Sequence, residues 1–262
     1  MPTPIQVLLD PVSLTVFALY AALILWEHFF PARELPRAPA WRMRGLAAFA
    51  LFFALSTYLP LLWTGYLLPW QFFDLGHLGT VTGAVVGVLA YECIGYFYHR
   101  GMHASDLLWR GLHQMRHSAE RVDTWSAFWF HPFDMIGWTA VSSLALTLVV
   151  GLSAPATTAA LLVFTLLSIF QHTNVRTPRW LGYIVQRPES HSWHHARGRH
   201  RNNYADVPLF DILFGTFDNP RDFAPATGFY DGASSRIGDM LLFREVSVNP
   251  LTHENPQSTA LP

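Results

Sequence analysis

Lysine is missing from this sequence altogether: all seventeen basic residues among the 262 are arginine. We read that bias as a mark of GC-rich coding rather than of chemistry. Cysteine is nearly as scarce. Cys93 stands alone, which excludes an intrachain disulfide framework and leaves no thiolate cluster of the kind that binds zinc or iron–sulfur centres. Charge is thin as well, at 13% of residues and a formal net of −1, so no basic field draws a phosphate backbone and nucleic acid is excluded as a partner. Neither a G-x-G-x-x-G fingerprint nor a C-x-x-C-H haem attachment is present, so any redox chemistry must take its electrons from a separate carrier. The opening MPTPIQVLLDPVSL has no positively charged stretch of the kind that begins a secretory signal peptide, and the first apolar run is expected to stay as an anchor.

What is abundant is apolar surface. With 51% hydrophobic and 15% aromatic residues, the bilayer is the natural solvent to test. Crossing it takes about 20 mostly apolar residues, and runs near 11–29, 45–63, 79–98, 135–152 and 155–172 qualify, the first being short. The last two are joined through Gly151 to Pro155, a turn so small that they should pack antiparallel. Beyond Asn174 the apolar runs shorten and Arg, Pro, Gly and Asp dominate, which predicts a polar cap of short helices and loops. The expected fold is therefore all-α, one domain over 1–262. It divides into membrane spans to about 98, a first histidine region over 99–134, a membrane hairpin over 135–172, and a cap over 173–262.

Arginine placement orients this bundle. Four arginines lie between the first two spans, four between Arg100 and Arg121, and nine from Arg176 onward; none falls in 1–11, 64–78 or 151–155. The positive-inside rule then puts the N-terminus outside and the cap in the cytoplasm, a parity that five spans satisfy. The expectation is a multi-pass protein of a bacterial inner membrane. Helices lying along the interface instead of crossing would leave this sidedness unchanged.

Thirteen histidines carry the chemical signal, and nine of them fall in telling positions. His99 and His103, four apart at the end of the third span, project from one helical face. His113 and His117 repeat that spacing, and His191, His194 and His195 give i, i+3, i+4 on a further short helix. His131 opens the fourth span and His172 closes the fifth, at the same boundary. Isolated histidines such as His28, His77 and His253 are read as surface or helix-end residues. Neutral imidazole suits iron, zinc, copper or nickel, and nine donors exceed the four of one structural zinc. Two ions with open positions are implied, a set able to activate dioxygen.

The runs YHRGMH, LHQMRHSAERVD, FHPFD, FQHTNVRTP and HSWHH, followed by DILFGTF, resemble the sterol desaturase and fatty acid hydroxylase superfamily over residues 90–218. The resemblance implies a di-iron membrane enzyme that uses dioxygen and external electrons to hydroxylate or desaturate a lipid such as a sterol or fatty acyl chain. Its electrons would come from a cytochrome b5-like, ferredoxin-like or NAD(P)H-reductase-like partner. It also implies metal ligation by His99, His103, His113, His117, His131, His172, His191, His194 and His195. The chain departs from the family pattern at Arg116, where the second box usually carries histidine and a guanidinium has no lone pair to offer a cation. His131 or His200 could complete the ligand set, one metal could be held more loosely, or catalysis could be lost.

Glu92 lies two helical turns before His99 on the same face and is read as an acceptor for the second ring N–H of a ligand histidine, or as a carboxylate reaching interfacial water. Asn203 is read as a hydrogen-bonding partner of a ligand or as a turn residue. Met102, Trp109, Trp125, Phe128, Trp129 and Phe130 could line a lipid tunnel, though aromatics at this depth are more often interfacial anchors. Three rivals stand beside the oxygenase. A metal transporter needs ionisable residues along a crossing path, a metalloprotease needs H-E-x-x-H, for which His253-Glu254 has no partner, and a silent lipid-binding relative is suggested by Arg116.

Overall fold

The computed structural model describes residues 1–249, so His253 and Glu254 lie outside the described residues. A short helix α1 (Pro4–Leu8) leads into α2 (Pro11–Phe29), which starts where the Asp10 carboxylate accepts the Val12 N–H and Pro11 supplies a residue that needs no donor. Next come α3 (Trp41–Leu67), running on through a 3-10 turn to Trp70, and α4 (Thr80–Ala104). A knot of short turns follows: α5 (Asp106–Leu108), a π-turn over Trp109–His113 and α6 (Gln114–His117). Helix α7 (Pro132–Ser143) ends in a second π-turn, Leu144–Val149, before α8 (Ala154–Phe170). The cap holds α9 (Pro188–His194), α10 (Leu209–Leu213) and α11 (Ile237–Leu241). Among the described residues there is no strand, only an isolated bridge between Ala196 and Thr227.

Four helical stretches are long and apolar enough to cross a membrane: Pro11–Phe29, Trp41–Trp70, Thr80–Ala104 and Pro132–Val149. The fifth predicted span is α8, apolar but only 17 residues long. The short member of the set is thus the last helix and not the first. Leu14, Leu25, Leu46, Leu51, Val81 and Val85 are exposed along these helices, as expected of side chains whose solvent is lipid.

These five helices enclose a central space. Helix α3 packs on α7, α7 on α4, α4 on α8 and α8 on α2, and the ring closes where Phe17 and Tyr20 of α2 meet Phe49 and Phe53 of α3. Helix α4 approaches α8 closely because Gly83 faces it: a Cβ there would lie 2.8 Å from that of Ala156. The cavity between the five helices is partly open, has a volume of about 550 Å³ and is lined from all of them. Phe128, Trp129 and Phe130 are buried in the main core, and Phe128 and Phe130 line the cavity. Their reading as interfacial anchors is corrected accordingly: the segment after the second histidine box turns inward, and the rings of Phe128 and Phe130 pack at a tilt against Phe49 and Phe52.

Candidate metal centre

The i, i+4 pair His99 and His103 sits on the last turns of α4, as the spacing requires, and the other boxes fold over it. His113 closes the π-turn, His117 ends α6, and His194 ends α9. One ligand atom from each of these five side chains lies within 4.8 Å of the others. A second group, His172, His191 and His195, satisfies the same limit and is fully buried. The two adjoin, since the His117 and His195 rings stack with centroids 4.2 Å apart.

Within the first group the Nε2 atoms of His99 and His113 are 3.0 Å apart, and those of His99 and His194 3.1 Å. In the second, Nε2 of His191 is 3.1 Å from Nε2 of both His172 and His195. Two imidazole nitrogens held about 2.1 Å from one ion and at right angles would stand about 3.0 Å apart, so these separations are those of ligands aimed at a common point. Nε2 of His103 and of His117 are buried with no hydrogen-bond partner, which leaves their lone pairs to point at that same place. The donor set fits metal ions.

The opposite ring nitrogens are fixed by acceptors, and this sets the tautomer. Nδ1 of His99 donates to the Tyr204 carbonyl at 2.7 Å, that of His194 to the Asn202 carbonyl at 2.6 Å, and that of His172 to the Ser168 carbonyl at 2.8 Å. Nδ1 of His113 donates to Oδ2 of Asp134 at 3.0 Å, with both side chains fully buried. A proton held on Nδ1 frees Nε2 as a ligand. Burial pushes His117, His191, His194 and His195 well below the ordinary histidine range, helped by neighbouring charges, and it takes His200 down to about 3. All stay neutral near pH 7, the form that binds metal.

The loop over 200–207 is the part that sequence spacing does not show. It presents the Asn202 and Tyr204 carbonyls to His194 and His99, and three side chains pin it. Asp211, from the DILFGTF run, accepts the N–H groups of Tyr204 and Ala205 and the Thr216 hydroxyl. Glu92 Oε2 accepts the N–H groups of Asp206 and Val207 at 2.8 and 3.1 Å. Asn203 donates to the Ser190 and Asp218 carbonyls and accepts the Asp218 N–H. Glu92 is therefore on the predicted face but does not hold a histidine directly: the loop comes between them. Asn203 acts as a loop tie.

Two further predicted residues differ in placement. His131 joins neither group; it is the N-cap of α7, where its Nδ1 accepts the Phe133 N–H at 3.2 Å and its ring packs against Phe133 and Phe243. His200 also lies outside both groups but stands beside one, with Nδ1 3.1 Å from Nδ1 of His117. Arg116 is buried, donates from Nη1 to the Ala127 carbonyl at 3.1 Å, and lies over the Phe130 ring at 4.1 Å. Sequence reasoning passed over Asp134, although it sits three residues after His131 in a quoted run. It also passed over the buried pair Arg187 and Glu189 at 3.0 Å, which fixes the start of α9 through Thr177.

The cavity reaches this centre from the membrane layer. His99, Arg116, Tyr204 and Asp206 line its polar end. Leu152, which also lines it, lies where a Cβ on Gly87 would come within 2.7 Å of its Cδ1. Gly87 and His99 are separated by about 18 Å along α4, from the helical rise. The family described as fatty acid hydroxylase matches residues 84–216, a stretch that contains every histidine of both groups. No curated protein and no solved structure matches the chain.

Proposed function

This chain belongs to the fatty acid hydroxylase family, and from that premise we propose that it is a membrane-bound di-iron oxygenase acting on a lipid C–H bond. The observation that carries this reading is the apolar cavity of about 550 Å³ that runs between the membrane helices and ends on His99. An acyl chain or a sterol skeleton lying there would present one carbon to the metal end. Hydroxylation inserts one oxygen atom of dioxygen into C–H and reduces the other to water, consuming two electrons and two protons; desaturation removes two hydrogens and yields two waters.

Bound iron would supply the redox chemistry. His99, His103, His113, His117 and His194 would hold one ion and His172, His191 and His195 the other. Asp134 and the Asn202 and Tyr204 carbonyls keep the rings in register, and Phe128, Phe130, Trp138 and Phe164 would keep water from the reacting carbon. A separate electron-transfer protein would dock on the cap, whose placement on the cytoplasmic side the arginine distribution supports, and the membrane would be a bacterial inner membrane. A transport role draws less support, because the donors gather at one end of the bundle and not along a crossing path.

The test is elemental analysis of the full chain purified in detergent without chelators, beside His103→Ala and His194→Ala, with lipid profiling of expressing cells. The expected result is about two irons per chain, fewer in the variants, and an oxygen-dependent lipid product that both variants lose. A native chain without specifically bound metal would overturn the oxygenase and leave a silent lipid binder.

A further inference from the structure

The two histidine groups are unequal in ways that go beyond ligand number. The first has five donors and the second three. In the first, the non-ligating nitrogens of His99, His113 and His194 donate to acceptors at 2.6–3.0 Å. In the second only His172 is so held. Nδ1 of His191 and Nδ1 of His195 are both buried without a hydrogen-bond partner. Two of those three rings therefore lack the contact that fixes orientation and raises basicity, a contact whose loss typically weakens metal binding on the order of 10–100-fold.

Arg116 adds no donor to the smaller group: it is buried, donates to the Ala127 carbonyl and lies over the Phe130 ring.

We propose that the chain holds its two metals with unequal tenacity: tightly in the five-histidine group, and exchangeably in the three-histidine group. This rests on the metal-centre reading above. The three-histidine ion would have the more open positions, so it is the ion at which an exogenous ligand can join the coordination sphere.

The experiment loads the full-length protein in detergent with ferrous iron under anaerobic conditions and follows iron per chain as EDTA is raised. Native protein should lose one equivalent at a chelator concentration at least tenfold below that needed for the other. His172→Ala should abolish the early loss, and His103→Ala the late one. Simultaneous loss of both equivalents from native protein overturns the asymmetry while leaving the di-metal centre intact. An early loss that His103→Ala abolishes would assign the tenacities the wrong way round and also overturn it. Failure to bind any iron would instead overturn the oxygenase reading.

Discussion

Replacing Asp134 with asparagine isolates what one carboxylate does for one ligand. Asp134 and His113 are both fully buried and meet at 3.0 Å, so the bond forms where water cannot substitute for it. A hydrogen bond to a charged acceptor is about twice as strong as a neutral one and is worth about 1.5–3 kcal/mol. Asparagine keeps an acceptor of the same shape within reach of Nδ1 but cannot take the charge that a cation at Nε2 favours on Asp134, so about half of that is lost. At 1.4 kcal/mol per factor of ten, metal should be held about three- to tenfold less tightly. Alanine removes the acceptor altogether and leaves the ring free to change tautomer, for which about 100-fold is expected. The assay is chelator competition with iron per chain as readout, with helical circular dichroism and size exclusion confirming that the bundle is folded. A folded asparagine variant that holds metal as the native chain does would show that packing alone orients His113, and would refute the reasoning.

Two other outcomes are expected. Arg187→Ala leaves Glu189 buried without its cation, and since breaking such a pair costs about 3–5 kcal/mol, the thermal midpoint should fall steeply; an unchanged midpoint would mean that Thr177 satisfies the carboxylate by itself. Metal-free protein should be destabilised by acid, because His117, His191, His194, His195 and His200 all have depressed folded-state values. The unfolded chain takes up protons near pH 6.5 and the folded one only far lower, so their contribution is complete above about 6.5 and declines toward the value of about 3 held by His200. Each such group adds up to about 1.4 kcal/mol per pH unit within that window, and a flat thermal midpoint between pH 7 and 5 would contradict it.

The histidine boxes were readable because a four-residue spacing on a helix is a statement about one face, and α4 does continue through His103. The spans were readable for a similar reason, a long apolar run having few alternatives to crossing the bilayer. What spacing does not encode is the partner that arrives from elsewhere in the chain. His99 and the carbonyl of Tyr204 are 105 positions apart, and Glu92 is 114 from the N–H it accepts. The periodicity put Glu92 on the right face and assigned it the wrong companion. His131 illustrates the converse: its position at a helix entrance was legible, and capping, the ordinary use of a polar side chain there, is what the fold makes of it. The two π-turns, which no residue pattern announces, rotate the second box and the end of α7 relative to an unbroken helix.

Much of the orientation of the ligand rings is entrusted to main-chain oxygens of Ser168, Asn202 and Tyr204. A carbonyl survives any substitution of the residue that bears it, so these acceptors do not depend on which side chains stand at the three positions. They do depend on backbone angles: His200, Asn202 and Asn203 all lie at positive φ, between 41° and 70°, where most side chains are strained. Variation in this stretch is thus filtered by conformation, and a residue that cannot turn left-handed there would displace an acceptor without ever touching an imidazole. A catalogue of active-site residues compiled by side-chain contact would find His200 and Tyr204 here but pass over Asn202, whose whole contribution is the place of one carbonyl.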